Sequence, residues 1–287
     1  MASRQQPSKY GSIALIIIAP ILLFLAQSAY WVNHTVFNQA NFSNITTTAL
    51  LSESSRDAIA TSVVNKSLEN RPIIKHAVGD RASALISGLL DSDLSNQAVK
   101  GLTTKTYAYV TSSNRQDVKI DLTSIKTPIA SVISLTQREN GPVASNLNQI
   151  PDEVVLMRAD AFPNLSGIIT LMLWLGPFLW LGALVSFGVY IYIGREIYAK
   201  RVYTVGAVII VMSLFGLAAT PFIPPPVAAA VPNIELRTVA ENLTNGFLAP
   251  FRTQMYAMLG ITLAALAVFS LRFKVSSAVA AVNKKRK

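Results

Sequence analysis

The stretch "YIYIGREIYAKRVYTVGAVII", residues 190–210, places Arg195, Glu196, Lys200 and Arg201 between two long runs that carry no charge. In a chain that is only 14% charged, this crowding reads as a tight turn joining two antiparallel helices that cross a membrane. Working outward from it, the sequence contains four uncharged apolar runs. They are 11–31 ("GSIALIIIAPILLFLAQSAYW"), 167–194, 202–222 (ending near "TPFIPPP") and 253–271. Each can cross a hydrocarbon core of ~30 Å at about 1.5 Å per helical residue. Lipid offers backbone groups no hydrogen-bond partner, so such runs must be helices. The 51% hydrophobic content and mean hydropathy of +0.41 agree with several spans and one modest domain.

The net charge of +10 is unevenly placed. Residues 1–10 contribute Arg4 and Lys9, and the 195–201 turn has three basic residues against one acid. The 272–287 tail adds Arg272, Lys274, Lys284, Lys285, Arg286 and Lys287. Segment 32–166 is neutral, with twelve basic and twelve acidic residues, and the 223–252 segment pairs two of each. The excess therefore falls on alternate sides of the spans, the positive-inside pattern. It predicts a multi-pass plasma-membrane protein with both termini and the turn cytoplasmic, and with 32–166 and 223–252 outside. The pI near 9.9 follows from this topology. It does not point to nucleic acid, because the large domain is neutral and has no basic stripe. The "KKRK" tail can also touch anionic lipid headgroups.

A basic start, an apolar stretch and "AQS" at 26–28 also resemble a signal peptide. The run continues to Tyr30-Trp31, an interfacial aromatic pair, which favours an uncleaved anchor. The outside placement of 32–166 is the same either way.

Within 32–166, helical periodicity dominates. Ser54 with Asp57 reads as a capping box before a stripe of Ile59, Val63 and Ser67. Pro72 opens a helix whose Ile74, Val78, Ala82, Leu85 and Leu89 share one face, with Leu85 and Leu89 expected in the core. A third helix aligns Leu94, Ala98, Leu102 and Tyr109, and "TSIKTPIASVISLTQ" (123–137) is a fourth. "DVKIDL" at 117–122 and "DEVVLMRA" at 152–159 alternate as strands. "ENGPVASNLNQIPD" between them reads as a loop. The predicted fold is thus a mainly α membrane protein, with four transmembrane helices and an α-rich extracytoplasmic domain holding a short two-strand element.

Chemistry-bearing motifs are sparse. The chain has two histidines, His34 and His76, and no cysteine, so neither metal-ligand spacing nor a disulfide framework is expected. It contains no nucleophile elbow, P-loop or dinucleotide fingerprint. "DSD" at 91–93 suits a helix start, where acids meet the dipole favourably. No span carries an ionisable residue at depth, as proton- or ion-coupled transporters require. Pro20 and Gly176-Pro177 are expected to kink their helices, and Gly176, Gly182, Ser186 and Gly188 to let helices approach closely. Six Asn-X-Ser/Thr matches (Asn33, Asn41, Asn44, Asn65, Asn164 and Asn242) fall on the predicted outer side and are acceptors if the source is eukaryotic.

The 223–252 segment combines consecutive prolines, read as a stiff polyproline arm, with Ile234, Leu236, Val239, Leu243 and Phe247 at helical spacing. That amphipathic helix is expected to dock on the outer domain, and Leu243 and Phe247 are the candidate partner-binding residues.

The order of parts, with "VFNQANFSNITTTALLSESSRDAIATSVVNKSL", "VKIDLTSIKTPI" and "IPDEVVLMRADAF" between the anchor and three spans, resembles a group of uncharacterised integral membrane proteins of actinobacteria and related lineages. The resemblance implies an outside domain on four spans. It implies no activity and carries over no catalytic residue. The reading that results is a non-enzymatic envelope protein without cofactor. Its outer domain binds a partner protein, envelope polymer or small ligand, with membrane lipids and a protein partner or second copy as neighbours. The alternative is a transporter or channel subunit.

Overall fold

The computed structural model describes residues 9–67, 72–111, 118–121, 153–157, 166–194 and 197–285. Four helices are long and apolar enough to cross a membrane: Gly11–Val36, Thr170–Ile193, Tyr198–Ala229 and Arg237–Arg272. They belong to α1 (Lys9–Trp31, extended by a π-helical turn at Val32–Val36), α6 (Ser166–Ile193), α7 (Tyr198–Ala219) and α9 (Arg237–Lys285). Between α1 and α6 lie α2 (Gln39–Leu50), α3 (Glu53–Ser67), α4 (Pro72–Leu90) and α5 (Asp93–Thr111). They are followed by strands β1 (Val118–Asp121) and β2 (Glu153–Met157). The strands pair antiparallel, Ile120 opposite Val154 and Asp121 opposite Glu153, with an irregularity between Val118 and Lys119. A 3-10 turn (Thr220–Phe222) and α8 (Pro224–Ala229) link α7 to α9.

The bundle packs through small residues. Ala19, Leu23, Ala183 and Phe187 form its buried cluster. On α6, a Cβ added at Gly182 would stand 3.3 Å from Leu22 of α1. On α7, one at Gly206 would meet the Leu266 side chain of α9 at 2.6 Å, so any larger residue here would have to push that leucine aside. Gly188, expected at a contact, meets nothing within 4 Å. Large side chains such as Trp174, Phe178, Phe215 and Ile261 point outward. In lipid they lose nothing by doing so, and close backbone approach supplies the packing.

One end of the bundle gathers the charged turn. Arg201 of α7 donates to the Tyr190 carbonyl and to Ser12 Oγ of α1, and it lies 4.5 Å over the Tyr190 ring. Tyr203 and Ser270 share a 2.7 Å hydroxyl bond at the same end. At the other end, Arg252 of α9 bonds Thr220 in the 3-10 turn that follows α7. Thr220 stands seventeen residues along α7 from Tyr203, and Arg252 eighteen along α9 from Ser270. At about 1.5 Å per residue these separations are about 26 and 27 Å, close to a hydrocarbon thickness of ~30 Å. Trp31 lies nineteen residues along α1 from Ser12, so it reaches the same upper level.

Several expectations are corrected. The linker is shorter than 195–201, because α7 already begins at Tyr198 and takes in Lys200 and Arg201. The prolines do not form a polyproline arm: Pro224, Pro225 and Pro226 are the first three residues of a helix. N–H groups in a first turn have no intrahelical acceptor, so proline costs no bond there. The amphipathic segment and the fourth span are not separate, because α9 runs unbroken for 49 residues with Pro250 inside it. In α3 the buried positions are Ser55, Ala60 and Val64, whereas Val63 is 45% exposed. That helix starts at Glu53, which puts Ser54 inside it and Ser52 at its flank. On α4, Leu85 and Leu89 are exposed at 64% and 41%. On α5, Ala98 is exposed and Thr103 is buried, whereas Tyr109 is buried as its place on the stripe predicts. Small and hydroxylic residues take the inward faces, so an apolar stripe misplaces them. The 123–137 helix and the 139–152 loop lie outside the described residues.

Candidate functional site

Helices α2 to α5 pack as two antiparallel pairs, α2 with α5 and α3 with α4, that stand on the bundle. In the first, Ser43 of α2 and Thr103 of α5 share a buried 2.9 Å hydroxyl bond, and the Phe42 and Tyr107 rings meet at 5.6 Å. The Tyr107 hydroxyl donates to the Phe37 carbonyl at 2.5 Å. Burial pushes the Tyr107 phenol above its ordinary value of 10.0. In the second pair, Ser87 of α4 donates to Asp57 of α3 at 2.6 Å, and Arg56 pairs with Asp91. Asp93 opens α5, and Ser92, the residue before it, accepts from the Ser95 amide.

The upper third of α9 stitches both pairs to the bundle. Phe247 places its ring 5.4 Å from Phe42, tilted by 46°, and its carbonyl accepts the Trp31 indole N–H at 2.8 Å. A Cβ at Gly246 would come within 3.1 Å of Ile45, so glycine lets α2 approach here. Higher up, the Asn242 amide nitrogen lies 3.2, 2.9 and 2.8 Å from the hydroxyls of Ser52, Ser54 and Ser55. Asn233 donates to Ser62 at 2.7 Å, and Asn65 donates to Glu235 at 2.6 Å. Of the two candidate partner-binding residues, Phe247 belongs to this internal seam, and Leu243 is half-buried one turn above it.

The seam also accounts for most of the Asn-X-Ser/Thr matches. Asn33 donates to the Met172 carbonyl and Asn41 to the His34 carbonyl. With Asn65 and Asn242 already engaged, four of these asparagines spend their side-chain nitrogen on structure, and a glycan needs that nitrogen. Asn44 is exposed, and Asn164 lies outside the described residues. Sequence reading missed these clamps because asparagine carries no charge and no hydrophobicity to register. The only signal was their clustering with serine on facing helices.

Two clefts flank the seam at the level of Arg252. One, of about 580 Å³, lies between the end of α1 and α9, lined by Tyr30, His34, Pro250 and Gln254 among others. His34 stacks on Tyr30 at 5.6 Å. Beneath it Gln27, 4% exposed, donates to Met258 Sδ at 3.1 Å, and its carbonyl accepts from Gln254 at 3.3 Å. The other cleft, of about 510 Å³, lies between the proline-rich link and α9 and is lined by Thr220, Pro224, Glu241, Asn245 and Arg252 among others. Among the described residues no group of three or more His, Cys, Asp or Glu is placed to hold a metal. His76 is an exposed residue of α4.

No family model, no curated protein and no solved structure matches this chain.

Proposed function

We propose that the chain is a non-enzymatic protein of the cell envelope whose α2–α5 head lies outside the plasma membrane and binds a partner protein. Both termini and the 195–201 segment are cytoplasmic in this reading. Its support is that the segments carrying the excess of +10 flank the bundle end where Ser12, Arg201 and Ser270 come together. An impermeant thiol reagent on intact cells should label Asn96→Cys on α5 and not Lys285→Cys. The chain has no native cysteine to obscure the result. Labelling of Lys285→Cys alone reverses the orientation.

The observation that carries binding is the outer face of α4. Asn242 is ten residues along α9 from Arg252, or about 15 Å at 1.5 Å per residue. The α3–α4 hairpin meets α9 at that height, so Leu85 and Leu89 stand clear of the hydrocarbon. Two exposed leucines one turn apart, in a head rich in serine, threonine and asparagine, mark an interaction surface. A single exposed helix face does not enclose a ligand as a small-molecule site does. A helical protein partner, either another envelope protein or a second copy of this chain, suits it better.

A photo-crosslinking residue placed at position 85 should capture an adduct in intact cells, and one at Lys105 should not. The Leu85→Asp/Leu89→Asp double variant should insert and melt normally yet lose the adduct that a crosslinking residue at Ile86 captures in the otherwise unmodified chain. Absence of any adduct from α4, or rescue of a null strain by a chain lacking 32–166, would defeat the proposal.

A further inference from the structure

We infer that the cleft between the proline-rich link and α9 holds the head group of a zwitterionic phospholipid from the leaflet on the head's side, with its phosphate on Arg252 and its ammonium on Glu241. Glu241, Asn245, Arg252 and Tyr256 are spaced by four, seven and four residues along α9, which puts them on one face. That face looks onto Thr220, Pro221, Pro224 and Pro225. The proline rings stiffen this wall, and without N–H groups Pro221, Pro224 and Pro225 do not compete for a ligand's oxygens.

Arg252 is aimed before any ligand arrives. Its Nε donates to Thr220 Oγ1 at 3.1 Å and one terminal nitrogen donates to Asn245 Oδ1 at 2.8 Å. Thr220 is 2% exposed, and its own proton goes to the Leu217 carbonyl at 2.9 Å. The hydroxyl is therefore fixed as an acceptor. These two bonds use two of the five guanidinium N–H groups and leave three for an oxyanion. Among the described residues the one ion pair is Arg56 with Asp91, so no described carboxylate neutralises Arg252. An aimed, unneutralised arginine at the edge of the hydrocarbon is where a lipid phosphate lies, and its planar fork suits phosphate oxygens.

The rest of the cleft fits an amphiphile and selects its charge. Glu241 is exposed and lies one turn beyond Asn245, on the side away from the membrane. One acid above one base accepts a neutral ammonium–phosphate pair and repels a head group whose only charge is negative. Below Arg252 the cleft is lined by Leu217 and Tyr256, which offer the start of an acyl path. Tyr256 and Phe222, exposed at 62% and 77%, provide the aromatic rim common at this depth.

The test uses the full-length protein, delipidated in detergent and examined by native mass spectrometry with dioleoyl phosphatidylethanolamine, dioleoyl phosphatidylglycerol or free phosphorylethanolamine. Phosphatidylethanolamine should be retained at least about tenfold better than phosphatidylglycerol, and Arg252→Gln should reduce its retention by about tenfold, as loss of a charged hydrogen-bond donor predicts. Glu241→Gln, at an exposed position that cannot disturb folding, should bring phosphatidylglycerol up to the level of phosphatidylethanolamine. Equal retention of both lipids by the unmodified protein overturns the inference, as does a preference that survives Glu241→Gln. Free phosphorylethanolamine competing as well as the intact lipid would assign the cleft to a soluble ligand instead.

Discussion

In the bundle, α1 meets α6 through Ala19, Ala183 and Gly182 beside the larger Leu23 and Phe187, and side chains such as Trp174 and Phe178 face outward. In the head, α2 and α3 meet α9 through a phenylalanine pair and asparagine–serine bonds, and leucines face outward. The two regions share exposed apolar side chains but for different reasons. Lipid is as apolar as leucine, so a span gains nothing by turning leucine inward, and the tightest backbone approach decides its inner face. Water does reward burial of leucine, so exposed leucines in the head need another explanation, and a covering partner supplies one.

The sharpest way to test this contrast is a core deletion in the bundle. Met255 is 1% exposed, and its sulfur lies against Gly216 of α7. Met255→Ala leaves a cavity that neither rigid helix can close, and should cost about 2–3 kcal/mol, toward the lower end of buried Met-to-Ala changes because lipid replaces water outside. Thermal melting in detergent reads it. An unchanged transition would mean that the α7–α9 crossing carries little of the stability.

Next comes the head's seam. Asn242→Leu keeps the volume but removes the donor shared by Ser52, Ser54 and Ser55, and Ser55 is completely buried. A loss of about 1 kcal/mol is expected, because buried Ser55 gives up one donor while keeping its bond with Ser52. It should appear as protease cleavage in α2–α5 with the spans intact. If head and bundle melt together even in this variant, they are one cooperative unit and the contrast is only one of packing style.

A smaller effect separates the same regions by pH. The Tyr107 phenol is raised above 10.0 by burial, so folding disfavours its phenolate. Its contribution is complete below pH 10.0 and is lost as the pH climbs through the raised value. Tyr107→Phe also gives up the bond to the Phe37 carbonyl, about 1 kcal/mol at neutral pH. Alkaline melting curves of the two proteins should converge above pH 10. Parallel curves would show that Tyr107 stays accessible to solvent.

The four spans were legible because hydropathy is a long, additive signal: α1 and α6 begin and end within a few residues of the uncharged runs. The head was less so. Its helices are rich in serine, threonine and alanine, so the periodicity that selects a face was weak, and in α3 it favoured Val63 over the buried Ala60 and Val64. The proline-rich link misled for a different reason. "PPP" has the same composition whether it starts a helix or forms an extended arm, and only the chain that follows distinguishes them. Of the cleft at Arg252, the sequence showed the arginine and Glu241 only as two of the four charges in a neutral segment. It could not show that one continuous helix places them on a single face.

The smallest expected effect is the most discriminating. Leu85→Ala would cost several kcal/mol if the leucine sat in a core. At 64% exposure on α4, the isolated protein should lose no more than about 0.5 kcal/mol, as surface positions do. The comparison must therefore be made twice, in purified protein and in membranes from the native host. A partner that covers α4 in the membrane adds burial that the purified chain lacks, so Leu85→Ala should then lower the melting temperature only in the membrane sample. A drop in both places returns Leu85 to the head's own core. No drop in either means that nothing covers this face and that binding, if the head performs it, uses another surface.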